Sequence, residues 1–382
     1  MKKRSLTLIL TGLAAGFCLF RIETSASRLQ PNVAWARGAQ YEVVSNGEKP
    51  VGDFKGLRFN KELEISAADF LPAMLLVDRA KNIYTYSGEQ LLKYDPAGKG
   101  ILRKTARSGQ GPGEYQMPEF AMSEDGHIYV ADPVQRRLTI LDDRFQTIKI
   151  MKLGFYGGVI ELGPKNNLHF LTLDPLPGTA DRQKLTLSTY STEGKLLWQG
   201  PSYQWGMTRD VRGIAHHAVY HPQIKYKVDR EGNIYWAMTD RYEITQFDPL
   251  GAIRRTITRG GSTRKITDAE VQERTPKVKT PGLVFDLPER MPFIADLFVL
   301  ENGWLAVVTF DHVEADSSVA ADLFDEKGIY RAKILMPKYL NWDGLARPHK
   351  SLALFRDGCF YAIETDQSGE KYCIRRYRLD WQ

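Results

Sequence analysis

One pattern recurs six times along this chain. A polar turn, often closed by Gly or Asn, opens into a short apolar β-run, and after a gap a second run ends in an aromatic residue or Leu, often with Asp or Ser behind it. The clearest copy lies within Ser108–Asp143. A Gly/Pro-rich loop and a short apolar run lead to the tight turn Glu124-Asp125-Gly126, the alternating run His127–Asp132, a polar turn and Arg137–Leu141. The first apolar residue of the six copies falls at 83, 128, 168, 234, 305 and 360, giving spacings of 45, 40, 66, 71 and 55. A minimum near 40 residues is the length of one four-stranded blade of a β-propeller. One such blade is too small to bury its own faces, so blades must stack radially around a shared core.

The expected fold is therefore all-β: a six-bladed β-propeller of four-stranded antiparallel blades, with insertions before the fourth and fifth blades. The last copy reaches the C-terminus after its third strand. Leu57–Ile65 alternates apolar and polar residues, as a strand with one buried face does; it, or Tyr41–Val44, is expected to supply the missing strand and close the ring. Thr267-Asp268-Ala269-Glu270 has capping-box spacing and predicts a short helix. Pro276, Pro281, Pro288 and Pro292 follow, so a helical, proline-rich flap is placed at about 262–290 over one face of the ring.

Residues 1–26 read as an export signal. Lys2-Lys3-Arg4 is a basic start, Leu6–Phe20 an apolar run of about fifteen residues, short of the ~20 that a membrane span needs, and Thr24-Ser25-Ala26 a small-residue cleavage site. Ala34-Trp35-Ala36 is a second choice. An uncleaved anchor over 5–20 and lipidation at Cys18 remain the alternatives, although bulky Phe17 fits a lipoprotein box poorly. The domain plan is a leader (1–26), an N-terminal extension (27–50) and a propeller domain (51–382), in the periplasm or outside the cell. Of 382 residues 26% are charged, and the formal net charge is +6. Removing Lys2, Lys3, Arg4, Arg21 and Glu23 takes away +3, leaving about +3 with no basic stripe, which speaks against a nucleic-acid partner. Cys359 and Cys373 flank one hairpin a few residues out of register, which favours two buried thiols over a disulfide.

Some segments resemble a family, the bacterial six-bladed β-propellers of the NHL/TolB-like kind. Arg107-Ser108-Gly109-Gln110-Gly111-Pro112-Gly113-Glu114-Tyr115 is similar to its Gly-Gln-Gly-Pro-Gly-Glu-aromatic loop between blades. Glu124–Asp132 is similar to its strand signature, and the helix-then-proline segment before Leu297-Phe298-Val299 also resembles it. Arg259-Gly260-Gly261-Ser262 sits where a second glycine loop is expected but lacks the Pro-Gly-Glu. The resemblance covers about residues 40–382 and implies fold and export, not an activity, because propellers host many functions.

Few residues invite chemistry. The loop of Arg107, Gly109, Gly111, Pro112, Gly113 and Glu114 has no helix start or Lys-Ser/Thr after it, so it is no P-loop; an inter-blade bend is the expected role, with Arg107 and Glu114 tying blades together. His216, His217 and His221 are three of only seven histidines and lie in one Tyr-rich insertion. A catalytic zinc needs three convergent ligands and an open position, and adjacent His216 and His217 point to opposite faces of a strand, so ordinary loop or partner contacts are favoured. The Asp-Gly and Glu-Gly turns lack the ligand spacing of a calcium loop. No strained Gly-x-Ser-x-Gly turn is present. Trp198, Tyr203, Trp205 and Met207 cluster around Gly200-Pro201 and Gly206, as a core cap or as a platform for a sugar or peptide.

The expected role is a monomeric binding or scaffold protein with no cofactor and no bound metal. Its protein, peptide or glycan ligand contacts loops at 200–225 and 262–290, with His216, His217, His221, Trp205 and Tyr203 as candidate contacts. The alternatives are a metal-assisted hydrolase, lactonase or lyase on the same ring, and a structural partner of an envelope assembly.

Overall fold

The computed structural model describes residues 41–66, 72–87, 89–175, 182–206, 208–210, 212–220, 222–274, 282–313, 318–340, 352–366 and 371–382. The expected export signal and its expected cleavage sites lie outside them.

Six antiparallel four-stranded sheets follow one another. Blade 1 is Met74–Val77, Ile83–Ser87, Gln90–Tyr94 and Gly100–Thr105; blade 2 is Glu119–Met122, Ile128–Asp132, Arg137–Leu141 and Thr147–Lys152. Blade 3 is Tyr156–Leu162, Leu168–Pro175, Arg182–Tyr190 and Leu196–Gly206; blade 4 is Ile224–Val228, Ile234–Met238, Glu243–Phe247 and Ile253–Arg259. Blade 5 is Asp296–Val299, Leu305–Val313, Ser318–Phe324 and Tyr330–Pro337. Blade 6 is Ala353–Arg356, Cys359–Thr365 and Tyr372–Trp381, and Leu57–Ser66 supplies its outer strand. The marker residues Ile83, Ile128, Leu168, Ile234 and Leu305 each begin the second strand of a blade, and Phe360 is second in its strand. The six innermost strands touch in the order 1-2-3-4-5-6-1, so the ring is closed.

Strand alternation builds the core. Ile128 and Val130 face the gap between blades 1 and 2, whereas Tyr129 and Ala131 face the gap between blades 2 and 3. Because side chains alternate along a strand, each blade is apolar on both sides, and six hydrophobic clusters fill the six gaps. The Asp or Ser behind the third strand also has a structural reason. The carboxylates of Asp95, Asp142, Asp248 and Asp325 each accept the amides two and four residues on, pinning the turn to the fourth strand.

The N-terminal segment does more than close the ring. Glu42–Asn46 lies parallel to Ile253–Arg259 as a fifth strand on blade 4. The chain then crosses blade 5, where Val51 N–H donates to the Tyr330 carbonyl (2.9 Å), and enters blade 6. Asn46 fastens this strap: its amide donates to the Thr258 and Gly328 carbonyls (3.1 and 2.9 Å) and accepts from Tyr330 N–H (2.8 Å). Cys359 and Cys373 are buried free thiols, paired with Arg378 and Glu364 instead of with each other.

One expectation needs correction. Gly200-Pro201 reads as loop, yet Leu196–Gly206 is one eleven-residue outer strand. An outer strand tolerates proline because its missing N–H lies on the unpaired edge, and the register slips here, between Thr186 and Ser188 of the partner strand. Trp198, Tyr203 and Trp205 therefore belong to a sheet edge.

Candidate functional site

In a four-stranded antiparallel blade the outer strand ends where the next inner strand begins. All blade-to-blade connections therefore lie at one end of the ring, and the turns joining first to second strands lie at the other. The two long insertions, 207–223 and 260–295, are both blade-to-blade connections, so both rise from the same end.

There they join. Ala215–Ala218 of the first insertion pairs in parallel with Leu283–Asp286 of the second, and Thr208–Arg209 completes a small sheet. The imidazole of His216 lies between a carboxylate from each insertion, with Nδ1 3.0 Å from Asp286 Oδ2 and Nε2 4.0 Å from Asp210 Oδ2. Asp210 also accepts the Ile214 and Arg212 amides (both 2.9 Å), and these bonds, Ile214 first, hold its carboxyl below the usual range. The second insertion carries the helix Asp268–Arg274 with the expected capping box: Thr267 N–H and Oγ1 donate to Glu270 (2.9 Å each), and Glu270 N–H donates to Thr267 Oγ1 (3.3 Å). Arg264 grips the same carboxylate with two N–H groups (2.8 and 2.5 Å) and donates through Nε to the Phe310 carbonyl of blade 5 (3.0 Å).

Between the insertions, over blades 4 and 5, lies a pocket of about 640 Å³. Tyr220, Pro222, Leu287, Met291, Pro292 and Phe293 form its apolar walls, and Asp240, Asp286 and Arg290 bring charge. This volume is in the range of small-ligand pockets.

The candidate residues are not all brought together. His216 reaches the pocket through Asp286. His217 pairs through its backbone with Phe285, and His221 lies outside the described residues. Tyr203 packs against the cluster between blades 3 and 4, and its hydroxyl is pushed up by burial; Trp205 lies in the same outer strand, opposite Gln183. Gly109–Gly113 forms the bend from blade 1 to blade 2. Glu114 turns back to accept Gly111 N–H (2.8 Å), a Cβ on Gly109 would overlap that carboxylate, and Gly113 takes the left-handed conformation, φ +76°. Arg107 contributes its carbonyl, which accepts Tyr115 N–H (3.0 Å). Arg137 and Gln135 of blade 2 hold the loop by its carbonyls.

The opposite end holds what sequence reasoning missed. A cavity of about 340 Å³ opens where the inner strands end. Three ion pairs line it: Lys227 with Glu161 (2.6 Å), Arg356 with Glu124 (3.0 Å), and Arg230 with Glu301. Arg79 adds to Glu124 (3.0 Å), and Glu301 also accepts Asp357 N–H (2.8 Å). Burial alone would pull the Lys227 ammonium down, but Glu161 and Asp296 outweigh it and raise its pKa. The signal was present. Counting back four residues from each marker gives Arg79, Glu124, Pro164, Arg230, Glu301 and Arg356, a charged residue at the same phase of every copy but the third.

Among the described residues no three of His, Cys, Asp and Glu gather as a metal-holding group, and no helix is long and apolar enough to cross a membrane. The chain is a six-bladed β-propeller. No family model matches its sequence, and comparison with curated proteins finds no match. Solved structures similar to it include a DUF4221 family member from Bacteroides vulgatus (9% identity, 86% of this chain and 100% of that one, TM-score 0.48). Others are virginiamycin B lyase from Staphylococcus aureus (10%, 80% and 82%, 0.38) and BamB from Moraxella catarrhalis (10%, 84% and 100%, 0.35). Likeness at this level carries no activity across; the fold stands on the strand pairing.

Proposed function

We propose that this is an exported binding protein that takes its protein, peptide or glycan ligand at the end of the ring where the two insertions meet. One observation carries this reading: two separate insertions converge on a common sheet and border an open pocket of about 640 Å³ with apolar walls and a few charged groups. Blade-to-blade bends need only short loops, as Leu153–Phe155 shows between blades 2 and 3, so the extra length has to serve something besides closure. The opposite mouth is a poorer candidate, because three of its carboxylates, Glu124, Glu161 and Glu301, are already answered by arginine or lysine.

The test is photo-crosslinking from two positions of the full chain expressed with its leader. A photoreactive residue at Pro288, on the pocket rim, should capture one envelope component of defined mass, whereas one at Glu231, at the other mouth, should not. Equal labelling from both positions would sink the assignment. Retention of the protein in the cytoplasmic fraction would sink export.

A further inference from the structure

We propose that the pocket between the insertions receives an extended peptide segment carrying an apolar side chain beside a basic one. This rests on the reading of that end as the ligand site and names what the ligand must bring. The argument is an inventory of donors and acceptors. Pro222, Pro288 and Pro292 in the wall have no N–H. The N–H groups of Met291 and Phe293 are turned inward, to the Arg264 carbonyl (3.0 Å) and the Thr239 carbonyl (2.8 Å). The guanidinium of Arg290 donates to the Thr263 carbonyl beside it.

The acceptors are different. Asp240 and Asp286 line the pocket with side chains 50% and 52% exposed. Asp286 is oriented from behind by His216, and the nearest cation to Asp240, Arg241 Nε, stands 3.9 Å away. Two carboxylates against one guanidinium leave the wall net negative, between apolar surfaces of Leu287, Met291 and Phe293. The complement is a group that supplies N–H donors and positive charge together with hydrocarbon. A lysine or arginine next to an apolar side chain does so. A neutral glycan brings hydroxyl donors but no positive charge, so it would leave the net negative charge of the wall unanswered.

The probe is a random heptapeptide library displayed on phage and panned against the immobilised full chain. The expected consensus has Lys or Arg adjacent to an aliphatic or aromatic residue. A synthetic consensus peptide should bind about fivefold more weakly to Asp240→Asn and to Asp286→Asn, the upper range for a half-exposed ion pair. Ser262→Trp, an exposed substitution that fills the mouth, should abolish binding. A consensus without a cation, still lost in Ser262→Trp, overturns the basic-peptide proposal and leaves the site reading intact. Peptides that bind Ser262→Trp as well as the natural chain overturn both. A library that enriches no sequence overturns the peptide assignment.

Discussion

Glu270 is where the flap depends on charge, and Glu270→Gln isolates that dependence. The carboxylate accepts two N–H groups from Arg264 and the amide and hydroxyl of Thr267. These contacts, Arg264 first, hold it at about 2 against an ordinary 4.5. Taken whole, that gap is worth about 3 kcal/mol. Water still reaches both partners, whose side chains are 16% and 27% exposed, so a screened value of about 1.4 kcal/mol, or tenfold, is the better expectation. The sign follows from the depressed pKa. The stabilisation is complete above the unfolded value near 4.5 and is lost as pH falls from there through about 2. The assay is hydrogen exchange of the Glu270 and Val271 amides, natural chain against variant at the same pH. Protection in Glu270→Gln should fall about tenfold at pH 7 and less than about twofold at pH 2.5, with circular dichroism confirming the fold at both. A tenfold loss at both pH values would mean that cap geometry, not charge, holds the helix; no loss at pH 7 would refute the latch itself.

Two further substitutions test the ring. Asn46→Ala removes three hydrogen bonds between the strap and blades 4 and 5 and should cost about 2 kcal/mol in denaturant unfolding; Asn60→Ala, which loses one exposed bond to Asp380, should cost under about 0.5, and equal effects would show that the strap bears no stability. Arg356→Met keeps the side-chain stem but breaks the bridge to Glu124; a loss of about 1 kcal/mol at low salt should fade toward 1 M NaCl, and a salt-independent loss would place Arg356 in packing instead of in the charge network.

The fold was legible because its repeat is local. Each copy writes its turn and its second strand in adjacent residues, so Ile83, Ile128, Leu168, Ile234 and Leu305 could be marked without knowing what packs on them. The helix at Asp268 was legible for the same reason: Thr267 and Glu270 are three residues apart and satisfy each other. The pairing of Ala215–Ala218 with Leu283–Asp286 was not, since about 68 residues and a whole blade separate partners that carry no mutual pattern. The strand at Leu196–Gly206 was hidden by Gly200-Pro201, whose loop character is overridden at a sheet edge that leaves proline's missing donor unneeded. Histidine density singled out one insertion, and there the structure brings His216 against a carboxylate of the other insertion.

The charged residues four before each marker show how a repeat can carry information that single copies conceal. Taken alone, Arg79, Glu124, Arg230, Glu301 and Arg356 are ordinary turn residues. Taken at one phase they run positive, negative, proline, positive, negative, positive around the ring. The phase puts them all at the channel mouth opposite the flap, and the alternation lets neighbours attract: Arg79 reaches Glu124 from blade 1 to blade 2, and Arg230 reaches Glu301 from blade 4 to blade 5. Arg356 skips blade 1 and bridges blade 6 to blade 2, so the network spans the seam where the two ends of the chain meet. Blade 3 has Pro164 at this phase, and its carboxylate at the mouth is Glu161 instead, which pairs with Lys227 of blade 4. Three carboxylates of that mouth are answered by arginine or lysine, whereas the flap end keeps two half-exposed carboxylates beside an apolar pocket.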